Sequence, residues 1–535
     1  MVPRSEYLLP LLAGMLLGGP FLFPILFPLA WVAFIPLFCL VRAGGTLRRA
    51  FFLGWLAGGV TSLLGFYWLS YTIRVFGGFS YGLSGFIFLV FAAYAALPFA
   101  LHSLLVRRFG LGPLCLFPAI FWVVIEFWFP HLFPWHLANS QSEFLPLIQS
   151  ADLVGPYGTS FLLAWLNTTL YALVFSPGGR GRVRLREMGV LSLVLLGALV
   201  YGYLRLSGVE ADMRSARSLT VAAIQGSIDI QHKWSAAHLE SNLKSYQDLT
   251  RKIQDVDLVL WPETAVELWV PENIARVPPE LIPALDRDTT LIFGARSFRG
   301  NPAVPNLKAF NSAFLVDSQG RALSYYHKQV LLAFGEYIPF GSVLSKLPGI
   351  PPLGDGFTPG DGPRTLALPS GIKVAPLICY EDLMPDLARR FVAEKGANLL
   401  VNLTNDAWFG DTVAPWQHAR LARWRAIETR RTLVRVTNTG LTTVINARGE
   451  MVQNLPVFSS GALTATVEIL EGETPYVRFG DWFAWGITLL SLGIVFLRHR
   501  TLSSHFSFFL HPGPSRSLPS AGKSLQKKFP ITPWL

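Results

Sequence analysis

The chain has 535 residues, 51% of them hydrophobic and only 15% charged, with a mean hydropathy of +0.40. Soluble domains carry about 25% charged residues, so this composition excludes an ordinary soluble protein, and 13% aromatic residues exclude a disordered or collagen-like chain. The net charge of +11 would suggest nucleic acid in a soluble protein; in a chain this apolar it reads as loops held on the cytoplasmic side of a membrane, with no nucleic-acid partner.

In chain order, apolar stretches long enough to span a bilayer fall at 7–23, 25–41, 51–72, 82–105, 113–129, 159–175 and 188–206. Gly18, Gly19 and Pro20 nearly fuse the first two. Apolar sequence continues past Pro24 with no small-x-small cleavage site, so the start reads as an anchor and not a cleaved signal peptide. Glu126 lies inside FWVVIEFWF, where a charge is costly. It reads as a carboxyl near the outer interface, hydrogen-bonded to a neighbouring helix, in preference to a lipid-headgroup or proton contact.

A polar region follows, and an eighth apolar run at 482–497. Arginines follow alternate spans: Arg42, Arg48 and Arg49; Arg107 and Arg108; Arg180, Arg182, Arg184 and Arg186; Arg498 and Arg500. The opposite loops hold little more than Arg74. These loops predict cytoplasmic termini and an extracytoplasmic polar domain, periplasmic in a Gram-negative cell. The expected organisation is a transmembrane bundle of about seven helices over 1–217, a catalytic domain over 218–470, a terminal transmembrane helix over 471–500, and a basic disordered tail over 501–535 that lacks acidic residues.

Within 218–470, runs at 219–225, 256–263, 290–296, 311–317, 372–381, 398–406 and 432–440 read as strands. Helical patterns occupy 235–253, 384–395 and 415–430. Near-continuous apolar strands alternating with helices predict a layered α/β sandwich. Chemistry-bearing residues close the strands: Glu263 after VLWP, Cys379 in ICYED, Asn405 and Asp406 after VNLT. Ligands gather at such strand ends. A cysteine on a strand-to-helix turn resembles a nucleophile elbow; as a nucleophile it needs a base and a cation. Glu263 is the candidate base. Lys328, in YYHKQVLLAFGEYIPFG, is the candidate cation, lowering the thiol pKa and receiving an oxyanion. His327 is set aside, since alternation points it to the other face. Glu267 reads as a loop residue, and the apolar segments 265–270 and 340–354 as loops, with two readings open: lids or segments that dip into lipid, and ordinary loop packing. Three cysteines cannot make a disulfide framework. No HExxH, CxxC or P-loop pattern is present, so neither metal nor nucleotide cofactor is expected.

The order WPETA, HKQVLLAFGEYIP, ICYED resembles the nitrilase superfamily, whose Glu-Lys-Cys triad sits on an αββα sandwich. NLTNDAWFG and the helix ending RAIETRR extend the likeness. With membrane spans on both sides and QGSIDIQHKW upstream, the chain resembles the bacterial apolipoprotein N-acyltransferase family. That resemblance implies Cys379 as nucleophile, Glu263 as general base, Lys328 as orienting cation and Glu336 as a supporting carboxylate. It also implies that Trp234, Tyr380 and Glu381 matter for activity. The implied reaction moves the sn-1 acyl chain of a phospholipid, expected to be phosphatidylethanolamine, through a thioacyl-cysteine to the α-amine of a diacylglyceryl apolipoprotein. The implied setting is a monomer in the inner membrane with its catalytic domain in the periplasm. Two readings compete: a membrane-anchored amidohydrolase acting on a small amide, and a transporter whose outer domain only binds.

Overall fold

The computed structural model describes residues 7–175, 181–300, 307–333, 335–337 and 356–508, without the side chains of 181–184 and 499–508. The expected 340–354 loop, Arg180, the side chains of Arg182, Arg184 and Arg500, and the tail from 509 onward lie outside it.

The first apolar region forms α1 (Leu8–Leu22), a 3-10 segment Pro24–Trp31, α2 (Ile35–Ala43), α3 (Leu47–Gly65), α4 (Leu69–Gly77), α5 (Tyr81–Ala95), α6 (Leu97–Phe109) and α7 (Phe117–Trp128). The short α8 (Leu145–Ile148) and α9 (Ala151–Val154), then α10 (Pro156–Phe175) and α11 (Gly181–Ser215), complete it. Pro24–Ala43, Tyr81–Phe109, Pro156–Phe175 and Leu185–Ser215 are long and apolar enough to cross a bilayer. The pair α3 and α4 is a fifth if its 65° bend is one broken span, and Leu8–Leu22, Pro113–Trp128 and Trp482–Arg498 are shorter apolar helices. The multi-pass character agrees with the sequence. The differences are that 51–72 breaks after Gly65, and that α11 continues well past 206.

Two features show how apolar helices pack without a hydrophobic drive between them. Gly54 and Gly58 bring α3 against α6, since a Cβ on Gly54 would lie 2.4 Å from the Phe99 carbonyl oxygen and one on Gly58 2.9 Å from that of Ala96. Pro24 and Pro28 interrupt regular helix, and buried Asn167 of α10 compensates: Oδ1 accepts from Phe34 N–H (2.8 Å) while Nδ2 donates to Ala30 O (2.9 Å). Glu126 is buried. It accepts from Trp122 Nε1 (3.1 Å) of its own helix and from Leu137 N–H (2.6 Å) of the 3-10 segment Leu137–Gln141 and faces His136, so the carboxyl is hydrogen-bonded as expected, through its own helix and this short segment.

The polar region forms two stacked sheets from β1 (Arg217–Gln225), β2 (Leu258–Leu260), β3 (Val266–Pro271), β4 (Thr290–Arg299), β5 (Lys308–Val316), β6 (Ala322–His327), β7 (Leu366–Ala367), β8 (Lys373–Ile378), β9 (Leu399–Thr404), β10 (Leu433–Thr437), β11 (Thr443–Ile445), β12 (Met451–Asn454) and β13 (Gly461–Ile469). One sheet runs β13-β1-β2-β4-β5-β6, with β3 also on β4; the other runs β12-β11-β10-β9-β8-β7. The centres, β1-β2-β4 and β8-β9-β10, are parallel, which is why their sequences are apolar on both faces. Val221, Leu258, Ile292 and Leu315 meet Val374, Leu377, Leu400 and Val434 between the sheets. Helix α12 (Leu239–Thr250) covers the first sheet through Tyr246 on Trp261, and α13 (Pro385–Lys395) and α14 (Ala414–Thr429) belong to the second. The fold is the expected αββα nitrilase-like sandwich. The segment 265–270, expected as a loop, contributes to β3.

Bundle and sandwich share buried polar ties. Asp152 Oδ2 accepts from Arg430 Nη2 (2.7 Å) and Arg205 Nε (2.8 Å), and its Oδ1 from Tyr201 OH (2.7 Å). Gln417 of α14 accepts from Trp68 Nε1 and donates to Phe21 O and Gly65 O. After the short α15 (Pro475–Phe479), α16 (Trp482–Phe508) begins against the bundle, with Trp482 Nε1 donating to Leu153 O. Its residues from Leu489 onward form a separate unit, and the helix extends past Arg500 into the expected tail.

Asn167→Leu strands Phe34 N–H and Ala30 O and should lower stability by about 1–3 kcal/mol. A thermal midpoint in detergent, followed by tryptophan fluorescence, measures this; an unchanged midpoint would show that other groups satisfy the broken segment.

Candidate active site

Four chain segments converge where strands end. Glu263 follows β2, Lys328 follows β6, Glu336 lies eight residues later, and Cys379 follows β8 at the start of a 3-10 turn, Cys379–Leu383. Lys328 is 1% exposed. Its Nζ lies 2.7 Å from Glu336 Oε2 and 3.9 Å from Glu263 Oε1. Asn311 of β5 joins the two carboxylates, its Nδ2 donating to Glu263 Oε1 (2.7 Å) and Glu336 Oε1 (2.9 Å). Leu332 N–H donates to Glu336 Oε2 (2.8 Å). A buried ammonium thus meets two carboxylates and a bridging amide.

The elbow is built by strain and by one carboxylate. Cys379 has φ +55°, a left-handed conformation that non-glycine residues adopt at a cost. Glu381 Oε2 accepts from Ile378 N–H (2.8 Å), and its Oε1 from Gln329 N–H (2.7 Å), Val330 N–H (3.0 Å) and Tyr326 OH (3.0 Å). This clamp fastens the elbow to the segment that carries Lys328. Tyr380 OH donates to Leu331 O (2.8 Å), its ring centroid lies 5.5 Å from Lys328 Nζ, and Asn402 Nδ2 donates to Cys379 O (2.7 Å). Glu263 is placed by close backbone approach: a Cβ on Gly294 of β4 would lie 2.5 Å from Pro262 O and Thr264 N and 2.7 Å from Glu263 Cα.

Burial raises the Glu263 carboxyl above the ordinary glutamate value, against the pull of Lys328. Burial lowers Lys328, but Glu336, Cys379 and Glu263 outweigh it and hold the amine protonated. The thiol departs from expectation. Burial and then the Glu263 carboxylate push Cys379 well above its ordinary value, and Lys328 offsets only part of this. The site therefore holds a thiol that keeps its proton beside a buried carboxyl and a fixed cation.

Cys379, Glu263, Lys328, Glu336, Tyr380 and Glu381 come together. Trp234 stands to one side, with φ +75° and 41% exposed. Its N–H donates to Glu267 Oε2 (2.9 Å), and neighbouring Lys233 Nζ donates to Thr264 O (3.2 Å), next to Glu263. Glu267 is a buried residue of β3 and not a loop residue. His327 turns away from Lys328, bonded to Ser312 and Glu272. Sequence reasoning missed Asn311, which looks like an ordinary strand residue, and the buried set behind the elbow. There His418 bridges Asp382 (2.8 Å) and Asp406 (3.0 Å), and Arg435 pairs with Asp382. The strand-end position of Asp406 was the available signal. Among the described residues no group of His, Cys, Asp and Glu is arranged to hold a metal.

Residues 13–169 match the family model described as Apolipoprotein N-acyltransferase N-terminal domain, and residues 220–474 match Carbon-nitrogen hydrolase. An apolipoprotein N-acyltransferase of Geobacter metallireducens is 35% identical over 522 residues, covering 94% of this chain and 97% of its own length. One of Azotobacter vinelandii is 34% identical over 493 residues, covering 89% and 92%. Among solved structures, an amidase from Nesterenkonia sp. aligns at 24% identity with a TM-score of 0.34, over 49% of this chain and 92% of the amidase.

The charges predict opposite responses of the thiol. Glu263→Gln removes an anion and should let Cys379 ionise at lower pH; Lys328→Met removes the cation and should move ionisation higher. The pH dependence of iodoacetamide labelling of the Cys379 peptide, read by mass spectrometry, checks both signs. Shifts in the same direction would mean that these charges do not govern the thiol.

Proposed function

The chain belongs to the apolipoprotein N-acyltransferase family, and from that premise we propose that Cys379, Glu263 and Lys328 carry its lipoprotein N-acylation in two half-reactions. In the first, Glu263 takes the thiol proton as Sγ attacks the sn-1 ester carbonyl of a phospholipid. The Lys328 ammonium faces the developing oxyanion. Collapse breaks the ester C–O bond, Glu263 returns the proton to the leaving oxygen, and a lysophospholipid departs. In the second, the neutral α-amine of the N-terminal diacylglyceryl-cysteine attacks the thioester. Glu263 takes the amine's proton, the C–S bond breaks, and the thiol is restored as the amide forms.

The observation that supports this reading most is the pairing of a raised, buried Glu263 with a thiol whose own pKa is too high for spontaneous ionisation. A base must act at the moment of attack, so the thiol is reactive only toward a carbonyl already in place. Glu336 and Asn311 hold Lys328 and Glu263 in register, and Glu381 and Tyr380 hold the elbow. Phosphatidylethanolamine is the proposed donor. The proposed setting is the inner membrane with the catalytic domain in the periplasm, on the arginine loops, and a monomer suffices because every group named comes from one chain.

Purified enzyme given phosphatidylethanolamine alone should accumulate acyl-Cys379 and lose it when a diacylglyceryl peptide is added, as followed by intact-protein mass spectrometry. Cys379→Ala should form no adduct; Glu263→Gln and Lys328→Ala should slow its formation by about 10²–10³ or more. Adduct appearing only with the acceptor present would replace the two-step order with a ternary complex.

For the orientation, a membrane-impermeant thiol probe on spheroplasts should label Arg251→Cys and spare Arg48→Cys. The reverse labelling would invert the topology.

A further inference from the structure

Beside the constellation lies a second arrangement that the two half-reactions leave unused. The Arg296 guanidinium on β4 lies over two indoles, 4.7 Å from the Trp234 ring centroid and 4.9 Å from that of Trp269. Trp234, Trp269 and neighbouring Leu268 are each more than a third exposed. Arg296 Nη2 donates to Glu267 O (2.5 Å), and its Nε has no acceptor among the described residues.

The patch adjoins the reaction centre on two sides. Lys233 reaches Thr264 O, next to the base Glu263. The Trp269 ring lies 6.4 Å from that of Phe357, whose N–H donates to Glu336 O (3.0 Å), the residue gripping Lys328. Its charge is unbalanced. Lys233 and Arg296 both face Glu267. Glu263, the other carboxylate felt by Lys233, already faces Lys328. Lys233 and Arg296 thus share one carboxylate, and the patch keeps one positive charge in excess.

We propose that Arg296, lying over the rings of Trp234 and Trp269, binds the phosphodiester of the donor phospholipid and so sets the enzyme's preference for a phosphate-bearing acyl donor; this rests on the two-step reading above. The arginine already lies over both indoles, where its charge opposes a headgroup ammonium. A planar guanidinium suits phosphate oxygens, while the exposed indoles and Leu268 lie against the glycerol and upper acyl chains. The neutral diacylglyceryl-cysteine has no use for this charge, so the effect belongs to the first half-reaction.

The test measures acyl-Cys379 formation under single-turnover conditions from phosphatidylethanolamine and from diacylglycerol with the same chains, which presents the same sn-1 ester without phosphate. The wild-type enzyme should favour the phospholipid. Arg296→Gln should shrink that preference, the ratio of the two kcat/KM values, about 10- to 100-fold, chiefly through KM, as expected for loss of a charged hydrogen bond. Arg296→Lys, which keeps the charge and loses the planar fork, should fall between. Equal losses on both donors would make Arg296 a structural support and overturn the assignment, as would slower discharge of a preformed acyl enzyme by diacylglyceryl peptide. Adduct formation with an unchanged preference overturns this assignment alone; no adduct in the wild-type enzyme overturns the two-step reading and this with it.

Discussion

A lysine ammonium almost wholly removed from water has to be neutralised, and that requirement organises the centre of this protein. Lys328 is 1% exposed, and an unpaired charge so placed would cost several kcal/mol. Glu336 and Glu263 supply the compensation, and Asn311 spaces them so that one carboxylate contacts the amine closely while the other stands off at 3.9 Å. The closer carboxylate is consumed in holding the cation. The farther one keeps its basicity. The same pairing obliges the segment after β6 to stay in place, and Glu381 fastens that segment to the strained turn bearing Cys379. Three separate strand ends become one rigid object because a charge cannot be left alone.

The thiol inherits a consequence. In many cysteine enzymes a cation makes the thiolate before substrate arrives; here burial and the neighbouring carboxylate oppose that, and the resting sulfur keeps its proton. Such a sulfur is a poor target for oxidants and stray electrophiles. The site exchanges standing reactivity for reactivity on demand, which suits the proposed two-step acyl transfer.

Much of this was legible in the sequence because strand-terminal polar residues stand out against apolar runs. Glu263, Cys379 and Asp406 each end such a run, and Lys328 lies in a segment dense in aromatic residues. What failed to show were groups whose placement depends on neighbours. Asn311 sits mid-strand, where an isolated amide looks like solvent-side alternation, although its partners come from residues 48 and 25 positions away in sequence. Glu267 read as loop because β3 is short and pairs with β4 across a register shift, so its pattern lacks a clean period. Arg435 and His418 each look like one more basic residue until the fold brings Asp382 to them. In the bundle, apolar runs marked the helices but not their breaks. The bend between α3 and α4 and the continuation of α11 past 206 arise from packing and helix propagation, neither of which hydropathy records.

Helix α11 has 35 residues and runs to Ser215, leaving Ala216 alone before β1 begins at Arg217. At 1.5 Å per residue it is about 52 Å long, well over the roughly 30 Å of a hydrocarbon core. The first sheet is thus carried on a stiff strut, and Tyr201 and Arg205 brace that strut through Asp152 to Arg430 of the sandwich. In the proposed reaction such a mounting holds the sandwich at a set height above the apolar part of the helix. The cysteine stays at one elevation, and a molecule qualifies partly by carrying its reactive carbon or nitrogen to that level. A soluble amide passes at every height with equal chance, whereas a lipid moored by its chains presents the same atom at the same altitude each time. For the proposed reaction, the strut makes distance from the bilayer a criterion of selection alongside chemical identity.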